Sequence, residues 1–286
     1  MRDTNHNLLG RNKKSSQGFT LLELVLVIII LGVMAVGISG FITLSTQTYL
    51  NATNRDELIG NARFVIERLS RELRNAVPNS IRIKAFGAGQ CIQFTPITAS
   101  TIYIDIPVAP EVASKTLSVI PFIDDLTGTT YEYNIGDLVT VYPLITEDIY
   151  TNTSGRVLAK TFPIDVDNSD TSGVINLLDN LSPDVNFEED SPTQRLYITN
   201  QQVSYCYALS SGVGTLIRFS EAIAGGTQIY PTSTGVFMAG YLSNTNPFNY
   251  ASATLQRNAV VQMRLQFSNN DENYVFDHEV HINNVP

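Results

Sequence analysis

The sequence predicts an α+β chain, in which one long N-terminal helix, apolar in its first half and amphipathic in its second, carries a β-rich head. Three observations predict it. No residue from Leu24 through Asn54 is charged. Beyond that run, Leu58, Ala62, Val65, Ile66, Leu69, Leu73 and Ala76 recur at three- and four-residue spacing, the mark of an amphipathic helix. After Pro78 the pattern changes to short runs that alternate apolar and polar residues, as half-buried strands do.

The helix starts with a charge problem. Residues 24–44 are long and apolar enough to cross a bilayer, which needs about 20 such residues. Glu23 lies inside the first turn of that stretch, where an ionisable group costs on the order of 3 kcal/mol and calls for a partner. A cut between Gly18 and Phe19 would create one: a new α-amino group four residues away, at a helix start that itself favours a carboxylate. The basic residues Arg2, Arg11, Lys13 and Lys14 precede Gly18 and the apolar core follows it. A secretory signal peptide has the opposite order. An uncleaved signal anchor with a tolerated Glu is the plainer alternative. Lys and Arg on the short side keep that end cytoplasmic and put the remainder across the membrane.

The segment Gly18-Phe19-Thr20-Leu21-Leu22-Glu23 and the run behind it resemble the type IV pilin and pseudopilin superfamily. The resemblance implies that residues 1–18 are a leader removed by a prepilin peptidase. Gly18 is then the cleavage residue, Phe19 the new N-methylated terminus and Glu23 the assembly carboxylate. It also implies a single-pass protein of the bacterial inner membrane, with a helix over 19–76, a periplasmic head over 78–286 and possible export into a pilus. The partners would be other minor pilins, the major pilin and the inner-membrane assembly platform. A length of 286 residues is large for a main filament subunit and suits a minor pilin. The stretch from Arg68 to Arg82, the runs Cys91-Ile92-Gln93-Phe94 and Val203-Ser204-Tyr205-Cys206, and the ending Ile282-Asn283-Asn284-Val285-Pro286 resemble the large minor pilins of mannose-sensitive haemagglutinin (MSHA) biogenesis, the MshO-like type. Its relatives are PilW-like minor pilins of twitching pili and J-type pseudopilins of type II secretion systems. The function this implies is priming and assembly of a pilus used for surface attachment; the alternative is service in one of those other two systems.

Charge removes one class of function. The chain has a net charge of −9, and beyond the leader 14 basic residues face 26 acidic ones without a basic cluster. Nucleic-acid binding needs clustered Lys and Arg, so no nucleic-acid partner is expected. The two cysteines, Cys91 and Cys206, lie in strand-like runs on the exported side, where an even count favours a disulfide over two buried thiols.

Along the amphipathic half, Arg63 with Glu67, Glu67 with Arg71 and Arg68 with Glu72 stand four apart, a spacing that supports a helix. Pro78 ends it. Strands are expected at 81–83, 101–106, 137–142 and 260–267, with a hairpin closing over 274–282. The Ser, Thr, Asn, Asp and Gly of residues 152–192 read as loop material.

Catalysis is not expected. Of the three histidines, His6 is in the leader, while His278 and His281 would point to opposite faces of a strand. No Gly-x-Ser-x-Gly elbow occurs. No cofactor is expected. Asp165, Asp167 and Asp170 alternate as calcium ligands do, but Asp170 stands where a calcium loop needs Gly and Asn176 where it needs a bidentate acid, so they are weak metal candidates. Tyr241, Phe248 and Tyr250 fall in a loop-like stretch where aromatic side chains can meet a ligand.

Overall fold

The computed structural model describes residues 18–87, 89–121, 131–150, 157–170, 172–178, 184–253, 257–270 and 272–282. The expected leader before Gly18 and the ending after Ile282 lie outside the described residues. One long apolar helix is followed by a β-rich head, the α+β architecture of pilin-like proteins. The chain divides into two compact units, Met1–Asn54 and Arg55–Pro286.

The described part of the first unit is mainly helix. Helix α1 runs Leu21–Arg74, and its apolar side chains up to Leu44 are exposed, as suits a surface facing lipid or other helices. It is long and apolar enough to cross a membrane. Hydroxyls in a bilayer need internal partners. Thr43, Thr46, Thr48 and Thr53 each donate Oγ1–H to the carbonyl four residues back, at 2.8 to 3.0 Å.

The second unit is organised around the rest of α1. Leu58, Ala62, Val65, Leu69 and Leu73 are fully buried, which is the stripe read from the sequence. The helix ends at Arg74 rather than Ala76. Ala76 and Val77 turn extended to pair with the segment around Thr95 and Pro96, four residues or fewer before Pro78 could break the helix.

The strands are β1 (Arg82–Phe86), β2 (Gly89–Phe94), β3 (Ala99–Asp105), β4 (Thr116–Val119), β5 (Leu138–Val141), β6 (Leu158–Ala159), β7 (Thr161–Asp170), β8 (Val174–Leu177), β9 (Asn186–Phe187) and β10 (Arg195–Thr199). They continue with β11 (Gln202–Ser210), β12 (Val213–Glu221), β13 (Val236–Ala239), β14 (Phe248–Ala251), β15 (Ala259–Asn269) and β16 (Glu272–Ile282). One antiparallel sheet has the order β1-β2-β11-β12-β13, and a second is β14-β15-β16. Ile92, Phe94, Val203, Tyr205 and Leu216 from the first, with Val261, Met263, Leu265 and Val280 from the second, share a core with the helix stripe.

Strands β10-β3-β4-β8-β7-β5 close into a separate barrel around Leu117, Val139, Phe162, Ile175, Leu196 and Ile198. All six barrel strands lie in sequence between β2 and β11. The barrel is therefore an insertion between two strands that pair directly, Cys206 opposite Cys91.

The barrel corrects the reading of residues 152–192 as loop. Phe162 and Ile164 on β7, with Ile175 and Leu177 on β8, point inward and are buried, while Asp167 is exposed and Asp170 and Ser172 lie in the irregular β7–β8 turn. Composition outweighed an alternation that was present. The expected C-terminal hairpin is there, with β15 and β16 paired from Ala259↔Ile282 to Asn269↔Glu272.

Candidate functional site

The helix start is built from few groups. Gly18, Phe19 and Thr20 precede α1 without helical structure, and Glu23 stands in its first turn. Thr20 is the cap: its Oγ1 accepts the backbone N–H of Glu23 at 3.3 Å, and its carbonyl accepts those of Glu23 and Leu24. Thr20 and Glu23 have the spacing of a capping box. The sequence reading passed over Thr20, although Thr-x-x-Glu before an apolar run is a legible signal. Phe19 and Glu23 are exposed, and among the described residues the Glu23 carboxylate forms no ion pair.

The outer part of α1 is tied to the head by charge as well as by packing. Glu72 Oε1 accepts Arg68 Nε–H at 3.1 Å, the expected four-residue pair. Glu72 also takes Arg218 from β12, a partner no helical spacing reveals. Arg63, Glu67 and Arg71 form no ion pair among the described residues. Arg55, 55% exposed, pairs instead with Glu272 at the start of β16, at 2.9 Å.

Cys91 and Cys206 are joined by a disulfide spanning 115 residues of sequence. It lies on the sheet face turned away from the helix, with Phe219, Phe86 and Ile217 around it. The connection from β12 to β13, residues 222–235, crosses this face and is pinned at its middle and near its far end. Gln228 Nε2–H donates to the Cys91 carbonyl at 3.3 Å. Glu221 Oε1 accepts the N–H groups of Thr232 and Ser233 at 2.9 and 2.8 Å. Burial pushes the Glu221 carboxyl up, but these amides, with the Ser233 hydroxyl and Gln202, outweigh it and hold the group below the usual range.

The three weak metal candidates lie along β7, from its middle to its end. Asp165 Oδ1 accepts the Asp167 N–H at 3.1 Å, and Asp170 Oδ1 accepts from Ser172 N, Ser172 Oγ and Val174 N at 2.9, 2.7 and 3.2 Å. Asp170 thereby closes the β7–β8 turn, and the Ser172 hydroxyl above all holds its carboxyl low. Among the described residues no group of three His, Cys, Asp or Glu is arranged to hold a metal. Phe248 is not loop but the first residue of β14, and its side chain is core; Tyr250 on the same strand is half-buried and Tyr241 exposed.

Residues 13–39 match the family model for the prokaryotic N-terminal methylation motif. The match covers Gly18, Phe19, Glu23 and most of the membrane-length run. Neither the curated proteins nor the solved structures include a match to the chain. The chain thus carries an N-terminal segment similar to the methylation motif of type IV pilin-like proteins, on a helix long and apolar enough to cross a membrane.

Proposed function

We propose that this chain is a minor pilin of the MshO-like type, which enters the inner membrane, is cut after Gly18 and methylated at Phe19, and helps to prime assembly of a surface-attachment pilus. The observation that carries the reading is the position of the methylation motif at the head of one continuous helix, Leu21–Arg74, whose outer turns are the core of the head.

Assembly moves the helix from lipid into a bundle of neighbouring helices. A carboxylate there needs a counter-charge, and the amine of a processed Phe19 on an adjacent subunit supplies one of the right sign. Glu23 then acts as a register pin: the pair forms only when neighbouring helices are staggered so that amine and carboxylate meet. The Thr20 cap holds the Glu23 backbone in helix while its side chain remains free for that contact. The head is acidic, and its partners on this reading are pilins, the assembly platform and the peptidase.

The test is mass spectrometry of the chain after incubation in membranes with a prepilin peptidase. Loss of residues 1–18 with a methylated Phe19 is expected; an intact chain, or a cut elsewhere, overturns the reading. Recovery from sheared MSHA-type pili rather than from a secretion pseudopilus or a twitching pilus tests the finer assignment.

A further inference from the structure

We propose that the cleft between β1 and the 222–235 connection binds an acidic sugar, a uronate-type unit whose single carboxylate meets Arg82 and Lys84. The cleft lies wholly within the head, so the proposal stands apart from how the chain joins a filament.

The cleft has a volume of about 660 Å³, within the range of small-ligand pockets. Arg82 and Lys84 stand two apart on β1 and so project from one face, the face that also carries Gln93 and Cys91 opposite them. Each is fixed by neutral partners. Arg82 donates Nε–H to Gln93 Oε1 at 2.6 Å and Nη1–H to the Gly226 carbonyl at 2.7 Å. Its guanidinium carbon sits 3.6 Å from the centroid of the Tyr150 ring. Tyr150 is itself immobilised, fully buried and donating its hydroxyl to the Ser80 carbonyl at 2.8 Å. Lys84 donates Nζ–H to the Gln228 carbonyl at 2.9 Å.

No carboxylate among the described residues forms an ion pair with either cation. This is unexpected in a unit where acidic residues far outnumber basic ones. Arg82 is half-buried, and burial draws its pKa down against the opposing pull of Tyr150 and Glu147. A desolvated, pre-oriented guanidinium with N–H donors left over is the group that a carboxylate satisfies best.

The rim says what else the ligand carries. Thr227 contributes a hydroxyl and Gly225 its peptide groups, and the Thr146 hydroxyl, which donates to Glu147 at 3.1 Å, can still accept. Those are partners for several hydroxyl groups. An acidic peptide would bring further negative charges against Glu147 and against the acidic head, whereas one carboxylate on a polyhydroxy ring brings only the charge that the two cations balance.

The test titrates the full chain, in a detergent without sugar, with methyl glucuronide, methyl glucoside, sodium acetate and an aspartate-rich peptide, by calorimetry. Methyl glucuronide is expected to bind, and the other three to bind at least tenfold more weakly. Arg82→Gln and Lys84→Gln should each weaken methyl glucuronide about tenfold or more, while Arg264→Gln, outside the cleft, leaves it unchanged. Lys84 is exposed, so its variant keeps the test valid if Arg82→Gln disturbs the fold. Equal affinity for methyl glucoside or acetate, binding of the peptide alone, or wild-type affinity in both the Arg82 and Lys84 variants would overturn the proposal.

Discussion

Arg218 on β12 places its Nε 3.1 Å from both carboxylate oxygens of Glu72, and so clamps the helix to the middle of the sheet it packs on. The two side chains are only 16% and 20% exposed, which sets this pair apart from the solvent-facing charges along the same helix. Removing Glu72 leaves Arg218 without a carboxylate in a half-dry setting. Glu72→Ala is expected to cost the head about 2 kcal/mol, seen as a melting temperature lower by roughly 6 °C in circular dichroism. Arg55→Ala, at a mainly exposed pair, should move it by less than about 2 °C. Equal effects of the two would refute the distinction.

The disulfide fastens the two strands from which the barrel emerges. Closing a loop of 115 residues removes unfolded-state entropy equivalent to about 5 kcal/mol on the chain-entropy model. A Cys91→Ser, Cys206→Ser double variant is expected to lose about that much stability in denaturant titration. The same loss should follow reduction of the wild-type protein, since the thiols are buried among apolar side chains and have no other task.

Glu221 makes stability depend on pH. Its folded carboxyl titrates below its unfolded value, so its contribution is complete above about pH 5 and is lost as pH falls through the folded pKa. The gap in urea midpoint between wild type and Glu221→Gln should therefore be widest near pH 7 and should narrow as pH falls below about 5. A gap that widened on acidification would contradict this.

Glu23 gives the prediction that bears most directly on assembly. If it pairs with a neighbour's Phe19 amine, Glu23→Val leaves an unpaired buried amine at a cost of about 3 kcal/mol or more. Incorporation with co-expressed minor pilins, measured by pull-down, should drop roughly a hundredfold, while the melting temperature of the head stays at its wild-type value. Undiminished recovery would remove Glu23 from assembly.

The helix was legible because its signals are local. The Leu58-to-Leu73 stripe and the uncharged run each repeat within one or two turns, and the methylation motif is contiguous. Strand alternation was legible wherever it stood alone, as at β5 and β15. It was hidden at β7, where Asp165, Asp167 and Ser169 carry the composition of a loop while Phe162 and Ile164 keep the spacing of a strand. Pairings across the chain leave no local trace: Glu72 meets Arg218 at 146 residues' distance, and Arg82 meets Gly226 at 144. The acidic-sugar cleft was invisible for that reason, since its cations and its rim come together only after β1, the turn before Tyr150 and the 222–235 connection have converged.

The covalent bond at the neck of the barrel also has a mechanical side. In the assembly proposed above, a filament under tension would pull the subunit through its N-terminal helix, and the pull would pass through β1 to β2. At Cys91 it meets a shortcut: tension passes through the sulfurs to Cys206 and on into β12, leaving every residue of the six barrel strands out of the line of force. The barrel is thus a protected side branch, able to keep its shape while the stem that bears it is stretched.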